Sequence, residues 1–271
     1  MDSTYKINLQ KTISGFFPAY LKKELLKQVV NEGLVINNRK KGNQLSLTFA
    51  DIVDVTECDT LDEKIDSILA ADNVLQFIED FEYRRQYRHF CFFKCSEIPP
   101  TKLEELVQKE KVYLFDKKVS PLIDSYEKPT LYIVDNLVYL KFSDVLNNET
   151  GNQIKFTIIC ILDREENIIE LRFDRVGIAY KNSYNFYRDK INNILSYLEE
   201  NLSVTIENID FKAVIDYMKA EKDNISIYAQ RMQRNGTTAY LEAYDDGDGV
   251  MPILGELGNF IEENRELFET D

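Results

Sequence analysis

Thr130–Gly177 reads TLYIVDNLVYLKFSDVLNNETGNQIKFTIICILDREENIIELRFDRVG, and this stretch decides the fold. It contains two consecutive hairpins. Thr130–Val134 and Leu137–Phe142 flank Asp135-Asn136, a pair that tolerates the positive φ of a two-residue turn. Ile154–Leu162 and Ile168–Val176 flank the polar turn Asp163–Asn167. In the last run Ile169, Leu171 and Phe173 alternate with Glu170, Arg172 and Asp174, the period of a half-buried strand. The run before it is apolar at most positions of both faces, which predicts a central strand. Such a meander needs helices to cover it. The expected fold class is therefore α+β: an antiparallel β-meander sheet with packed helices.

The flanking sequence supplies those helices. Phe186–Leu202 carries Tyr187, Ile191, Leu195, Leu198 and Leu202 as one apolar stripe. Phe211–Ala220 predicts another helix, with Val214, Ile215 and Met218 inward. Ile225–Gln233 and Thr237–Tyr244 read as strands around Asn235-Gly236, a strong hairpin signal. An acidic loop, Asp245–Gly249, precedes a last helix that starts at Pro252.

Towards the N-terminus, Tyr5–Leu9 alternates as a strand would. Pro18 and Gly33 bracket a helix with the stripe Leu21, Leu25, Val29 and Val30. Leu34–Ile36 and Leu45–Leu47 predict a hairpin with the basic tip Arg39-Lys40-Lys41. Ile52–Val55 is a short strand. Thr60 and Glu63 have capping-box spacing ahead of Leu61, Ile65, Ile68 and Leu69. Asp72-Asn73 interrupts that helix, and Val74–Phe81 continues it. His89–Cys95 reads as a strand. After Pro99-Pro100, Thr101 and Glu104 repeat the capping-box spacing, and Val112–Phe115 reads as a strand. The connector Lys117–Pro129 contains two prolines and divides the chain into expected subdomains 1–125 and 126–271.

The chain has 271 residues and is 44% hydrophobic, enough to bury a sizeable core. No run approaches the apolar length of a membrane span, and Met1-Asp2-Ser3-Thr4 lacks the features of a signal peptide. Three of the four cysteines (Cys91, Cys95 and Cys160, apart from Cys58) sit in strand-like apolar surroundings, the usage of a reducing compartment. A cytoplasmic location is expected. The net charge of −14 disfavours broad nucleic-acid binding. The charge is uneven: residues 1–48 hold eight Lys/Arg against three Asp/Glu, or +5, leaving −19 on the remainder. A positive end on a negative body suits an acidic protein partner or self-association.

Three kinds of chemistry are worth weighing. Asp163, Glu170 and Asp174, with Arg172 between the last two, loosely resemble the carboxylates and basic group of a metal-dependent nuclease or phosphodiesterase. Against this, Arg cannot give up a proton, and alternating charges on an exposed strand pair across the sheet. Arg39, Lys40 and Lys41 at the hairpin tip, and Arg84, Arg85 and Arg88 among Tyr83, Tyr87 and Phe90, are candidates for nucleic-acid contact. At helical period the second group is a helix end with solvated basic flanks. His89, Cys91 and Cys95 share one face of a strand, but a zinc site needs a second ligand pair, and only Cys58 remains. In the acidic loop, Asp245, Asp246 and Asp248 fail the EF-hand pattern, which needs oxygen ligands where Gly247 and Gly249 stand. No P-loop, G-x-G-x-x-G or G-x-S-x-G occurs, and one His excludes H-E-x-x-H.

The expectation is a non-catalytic cytoplasmic interaction or regulatory module, a subunit of a larger assembly, with no cofactor. Such a module also suits bacterial defence against phage, although no motif carries that assignment. The nuclease and the nucleic-acid-binding protein are the alternatives.

Overall fold

The computed structural model describes residues 3–38, 52–115, 128–221, 229–234 and 237–242. Contacts divide the chain into two units, Met1–Ile209 and Asp210–Asp271.

The first unit is built on the predicted meander. β5 (Thr130–Val134), β6 (Leu137–Asn147), β7 (Gln153–Asp163) and β8 (Ile168–Phe173) pair antiparallel in sequence order. Two more strands extend the sheet beyond β8: β3 (His89–Cys95), then β9 (Ile206–Asn208). At the other edge β4 (Tyr113–Leu114) pairs with β5 in parallel. The order is β4-β5-β6-β7-β8-β3-β9, a seven-stranded, mostly antiparallel open sheet. The fold is α+β. β3 and β4 precede residue 125 yet pair with strands that follow it, so the sheet is shared across that point.

The turns explain the register. Asp135 and Asn167 both adopt positive φ, +52° and +54°, as residues with short polar side chains do in tight hairpins. β7 is central, and all but its two end residues are buried. Its alternate residues serve two cores. Ile158, Cys160 and Leu162 join Phe142, Leu171 and Phe173 under α5 (Pro100–Gln108) and α6 (Phe186–Leu202). Ile159 and Ile161 point the other way, onto Tyr83 and Tyr87.

A helical layer lies on that second side. It comprises α1 (Ser3–Phe16), α2 (Ala19–Asn31), α3 (Leu61–Leu69) and α4 (Asp72–Arg84). Leu9, Ile13, Leu21, Leu25, Ile65 and Ile78 form its core. A short parallel pair, β1 (Val35–Ile36) with β2 (Val53–Asp54), packs against it through Val35 and Val53. The expected strand at Tyr5–Leu9 is instead part of α1. Leu9 and Ile13 lie one turn apart and are both fully buried, so a helical stripe outweighs a five-residue alternation that either period fits. Gly33 ends α2 at φ +75°. The proposed second hairpin strand Leu45–Leu47 lies outside the described residues, and the ladder partner of β1 is β2.

Thr60 caps α3 in a full capping box. Its hydroxyl accepts from the Glu63 N–H (3.2 Å), and the Glu63 carboxylate accepts from the Thr60 N–H (3.1 Å). Thr60→Ala is expected to cost about 1 kcal/mol in urea unfolding. The second such pair, Thr101 and Glu104, makes no box. Pro100 occupies the first helical turn with Pro99 as cap, and the pre-set proline φ decides the start. The break between α3 and α4 falls at Ala70-Ala71, and Asp72 opens α4 rather than interrupting it.

In the second unit α7 (Phe211–Glu221) precedes a hairpin of β10 (Ala229–Arg234) and β11 (Thr237–Glu242). Arg234 pairs with Thr237, the spacing of a two-residue loop; Asn235-Gly236 themselves lie outside the described residues. Val214, Ile215 and Met218 of α7, expected inward, are exposed. Helical period identifies an apolar face but not what covers it.

Candidate functional site

The charged row of the meander does not converge. Asp163 accepts from the N–H groups of Glu165 and Glu166 at 2.9 and 3.1 Å, holding the β7–β8 turn. Glu170 receives two bonds from the Arg172 guanidinium, at 2.7 and 2.8 Å. Asp174 is paired with Arg85 at 2.6 Å. Each carboxylate thus has its own local task. Among the described residues, no three His, Cys, Asp or Glu side chains gather as a metal site would require. Asp245, Asp246 and Asp248 lie outside those residues.

The basic stretches fare differently from one another. Arg39, Lys40 and Lys41 are outside the described residues. Arg84 is exposed and pairs with Asp80 one turn back. Arg88 is exposed, and its N–H reaches Asp174 at 3.4 Å. Arg85, just beyond the end of α4, is not a solvated flank: it is buried. Its guanidinium lies 3.7 Å from the Tyr87 ring centroid and 5.0 Å from that of Phe17. It joins the end of α4 to the chain leaving β8.

On β3, His89 is exposed and its ring stacks on Phe173 at 5.6 Å. Cys91 and Cys95 are half-buried, Cys160 is buried, and all four cysteines are free thiols. Burial pushes the thiols of Cys91, Cys95 and Cys160 up, away from the thiolate that nucleophilic catalysis needs.

The strongest electrostatic feature was not among the sequence candidates. Glu79 and Glu82 of α4 meet Lys141 of β6 and Lys155 of β7, and no side chain of the four is more than 5% exposed. Lys155 Nζ donates to Glu82 Oε2 at 2.7 Å and Glu79 Oε1 at 3.2 Å. Lys141 pairs with Glu79 and lies 3.5 Å from Glu82 Oε2. The Thr157 hydroxyl adds a bond to Glu82 at 3.5 Å. Burial alone would raise the Glu82 pKa, but the ammonium groups of Lys155 and Lys141 outweigh it and hold the carboxyl at about 2. Burial likewise opposes charge on both lysines, and the two carboxylates reverse this and raise them. The quartet is neutral in sum and closed to solvent. It fastens α4 to the β6–β7 hairpin and offers no access to a substrate. A signal was present: Lys141 and Lys155 are lone charges inside otherwise apolar strand runs.

What does reach solvent is apolar. The stretch after β8 makes a single 3₁₀ turn, Ile178–Tyr180, then runs to α6. Ile178 is 87% exposed and Tyr184 fully so. Tyr180 meets Phe16, at the end of α1, edge to face at 5.4 Å. Phe16 and, on α2, Tyr20 are exposed as well. Beside the Phe16–Tyr180 pair lies an open cleft of about 440 Å³ between α1 and the β6–β7 turn.

The chain matches no family model and no curated protein, so the functional reading rests on this geometry. No helix among the described residues is long and apolar enough to cross a membrane.

Proposed function

We propose that this protein is a non-catalytic cytoplasmic interaction module, a subunit of a larger assembly or a self-associating chain. The observation that carries the reading is the apolar surface around Phe16, Ile178, Tyr180 and Tyr184. An ordered loop that holds an isoleucine and a tyrosine almost wholly in water forgoes hydrophobic stabilisation that a partner would restore. Two further facts support it. The described carboxylates proposed for metal chemistry are occupied by turn N–H groups or arginines. The free thiols suit a reducing compartment.

The test is mass measurement over a concentration series, together with affinity capture from the native cell. The reading expects a concentration-dependent mass or a stoichiometric partner. Ile178→Ser combined with Tyr184→Ser should abolish either one while shifting stability by less than about 0.5 kcal/mol, as at exposed positions generally. A chain that stays monomeric and partnerless defeats the proposal. So does Mg²⁺- or Mn²⁺-dependent cleavage of DNA or RNA that disappears in Glu170→Ala, which would instead support the nuclease.

A further inference from the structure

We propose that the cleft between the end of α1 and the β6–β7 turn docks an acidic peptide segment that also presents an aliphatic or aromatic side chain. This rests on the interaction-module reading and adds the chemistry of the partner. The apolar part of the cleft is Phe16, Tyr180 and the buried Ile154. Its polar part includes Ser14 and Gln153, whose amide oxygen accepts from Asn8 at 3.5 Å. Among the described residues its charged lining residue is Lys11, and no carboxylate lines it. Asp66, which is not among those lining residues, accepts from the Ser14 hydroxyl.

Charge complementarity selects the occupant. Helices α1 and α2 span residues 3–31, which carry five lysines and one glutamate, or +4, in a chain of net charge −14. The cleft therefore opens on a helix pair of net positive charge, within which Lys22 is paired with Asp62 and Asp66 accepts from the lining residue Ser14. Lys181 extends that character along the loop, with its ammonium 4.7 Å from the Tyr187 ring centroid. A negatively charged segment is drawn towards Lys11 and Lys181. The companion residue must be apolar, because Phe16, Tyr180 and the neighbouring Ile178 stay partly or largely in water otherwise.

A peptide fits better than a polynucleotide. A nucleic-acid strand needs a track of cations, whereas among the described residues one lysine lines this cleft. The chain's net charge of −14 further penalises a long polyanion.

The experiment is panning of short random peptides displayed on phage against the immobilised full chain, with Lys11→Glu and Tyr180→Ala as parallel targets. Enriched peptides are then synthesised with a fluorophore and measured by anisotropy. The expected result is enrichment of net-negative peptides bearing Leu, Ile, Phe or Tyr. Their binding should weaken with added salt and fall roughly tenfold or more in Lys11→Glu. Neutral or basic consensus peptides, equal binding by Lys11→Glu, no enrichment, or binding of a random single-stranded oligonucleotide in place of peptides would each overturn the assignment. If capture and mass measurement still show association that Lys11→Glu leaves intact, the cleft assignment falls and the module reading stands. If association and enrichment are both absent, both fall.

Discussion

Glu82→Ala is expected to cost on the order of 3–5 kcal/mol of folding stability, because it leaves two buried ammonium groups facing one carboxylate. Lys155→Met should cost a similar amount for the mirror reason. Replacing all four members, Glu79, Glu82, Lys141 and Lys155, with Leu or Met tests the cause. Buried ion networks gain little over well-packed apolar groups once desolvation is counted, so the quadruple variant should recover wild-type stability or exceed it by about 1–4 kcal/mol. Urea unfolding of the full chain followed by far-ultraviolet circular dichroism reads both outcomes. A Glu82→Ala loss below about 1 kcal/mol would mean that water enters the site, and the account of a sealed quartet would fail.

The same network sets the acid limit. The Glu82 carboxyl has a folded pKa of about 2 against an ordinary 4.5. Its contribution is complete above pH 4.5 and is lost as pH falls towards 2, on the order of 3 kcal/mol in all. The lysines are raised above their ordinary 10.5, so their contribution is complete below that pH and is lost only as the pH climbs past it. Between those limits Glu82 and the two lysines add no slope to the stability profile. In acid titration the wild type should lose stability more steeply between pH 4.5 and 2 than Glu82→Gln does.

Arg85→Ala is expected to cost about 2–4 kcal/mol, whereas Arg84→Ala, one residue earlier, should change stability by less than about 0.5 kcal/mol. Arg84 projects into water and forms an exposed helical pair with Asp80. Arg85 is buried against Tyr87 and Phe17 and neutralises Asp174. Arg85→Lys should not rescue it, since an ammonium cannot stack on both rings while holding the carboxylate. Comparing urea midpoints of the three variants decides the point. Equal midpoints for Arg84→Ala and Arg85→Ala would sink the structural role assigned to Arg85.

These two sites show where one-dimensional patterning runs out. In Tyr83–Phe90 the interleaved arginines and aromatics are plain to see, but which arginine faces water depends on where α4 ends. Arg85 follows Ile78, Phe81 and Glu82 on the buried side of α4, and the helix ends there, at ψ 160°. The carboxylates Asp163, Glu170 and Asp174 are also plain in the sequence, and their partners are not. Glu170 meets a neighbour two residues away, but Asp174 meets Arg85 from 89 residues earlier. The cleft beside Phe16 was invisible for the same reason, since α1 and Tyr180 are joined only by packing.

What the sequence determined by itself is the meander, its turns at Asp135-Asn136 and Asp163–Asn167, the central position of β7, the α6 helix and hence the α+β class. Each of these follows from local period and turn chemistry, which act over a few residues. Only the tertiary structure decided that β3 inserts between β8 and β9, that Tyr5–Leu9 is helical, and that Lys141 and Lys155 find Glu79 and Glu82. Those outcomes depend on which distant surfaces cover one another. A buried lysine in an apolar strand announces that a partner must exist, because an unpaired charge there is too costly, but only the folded chain says which carboxylate it is.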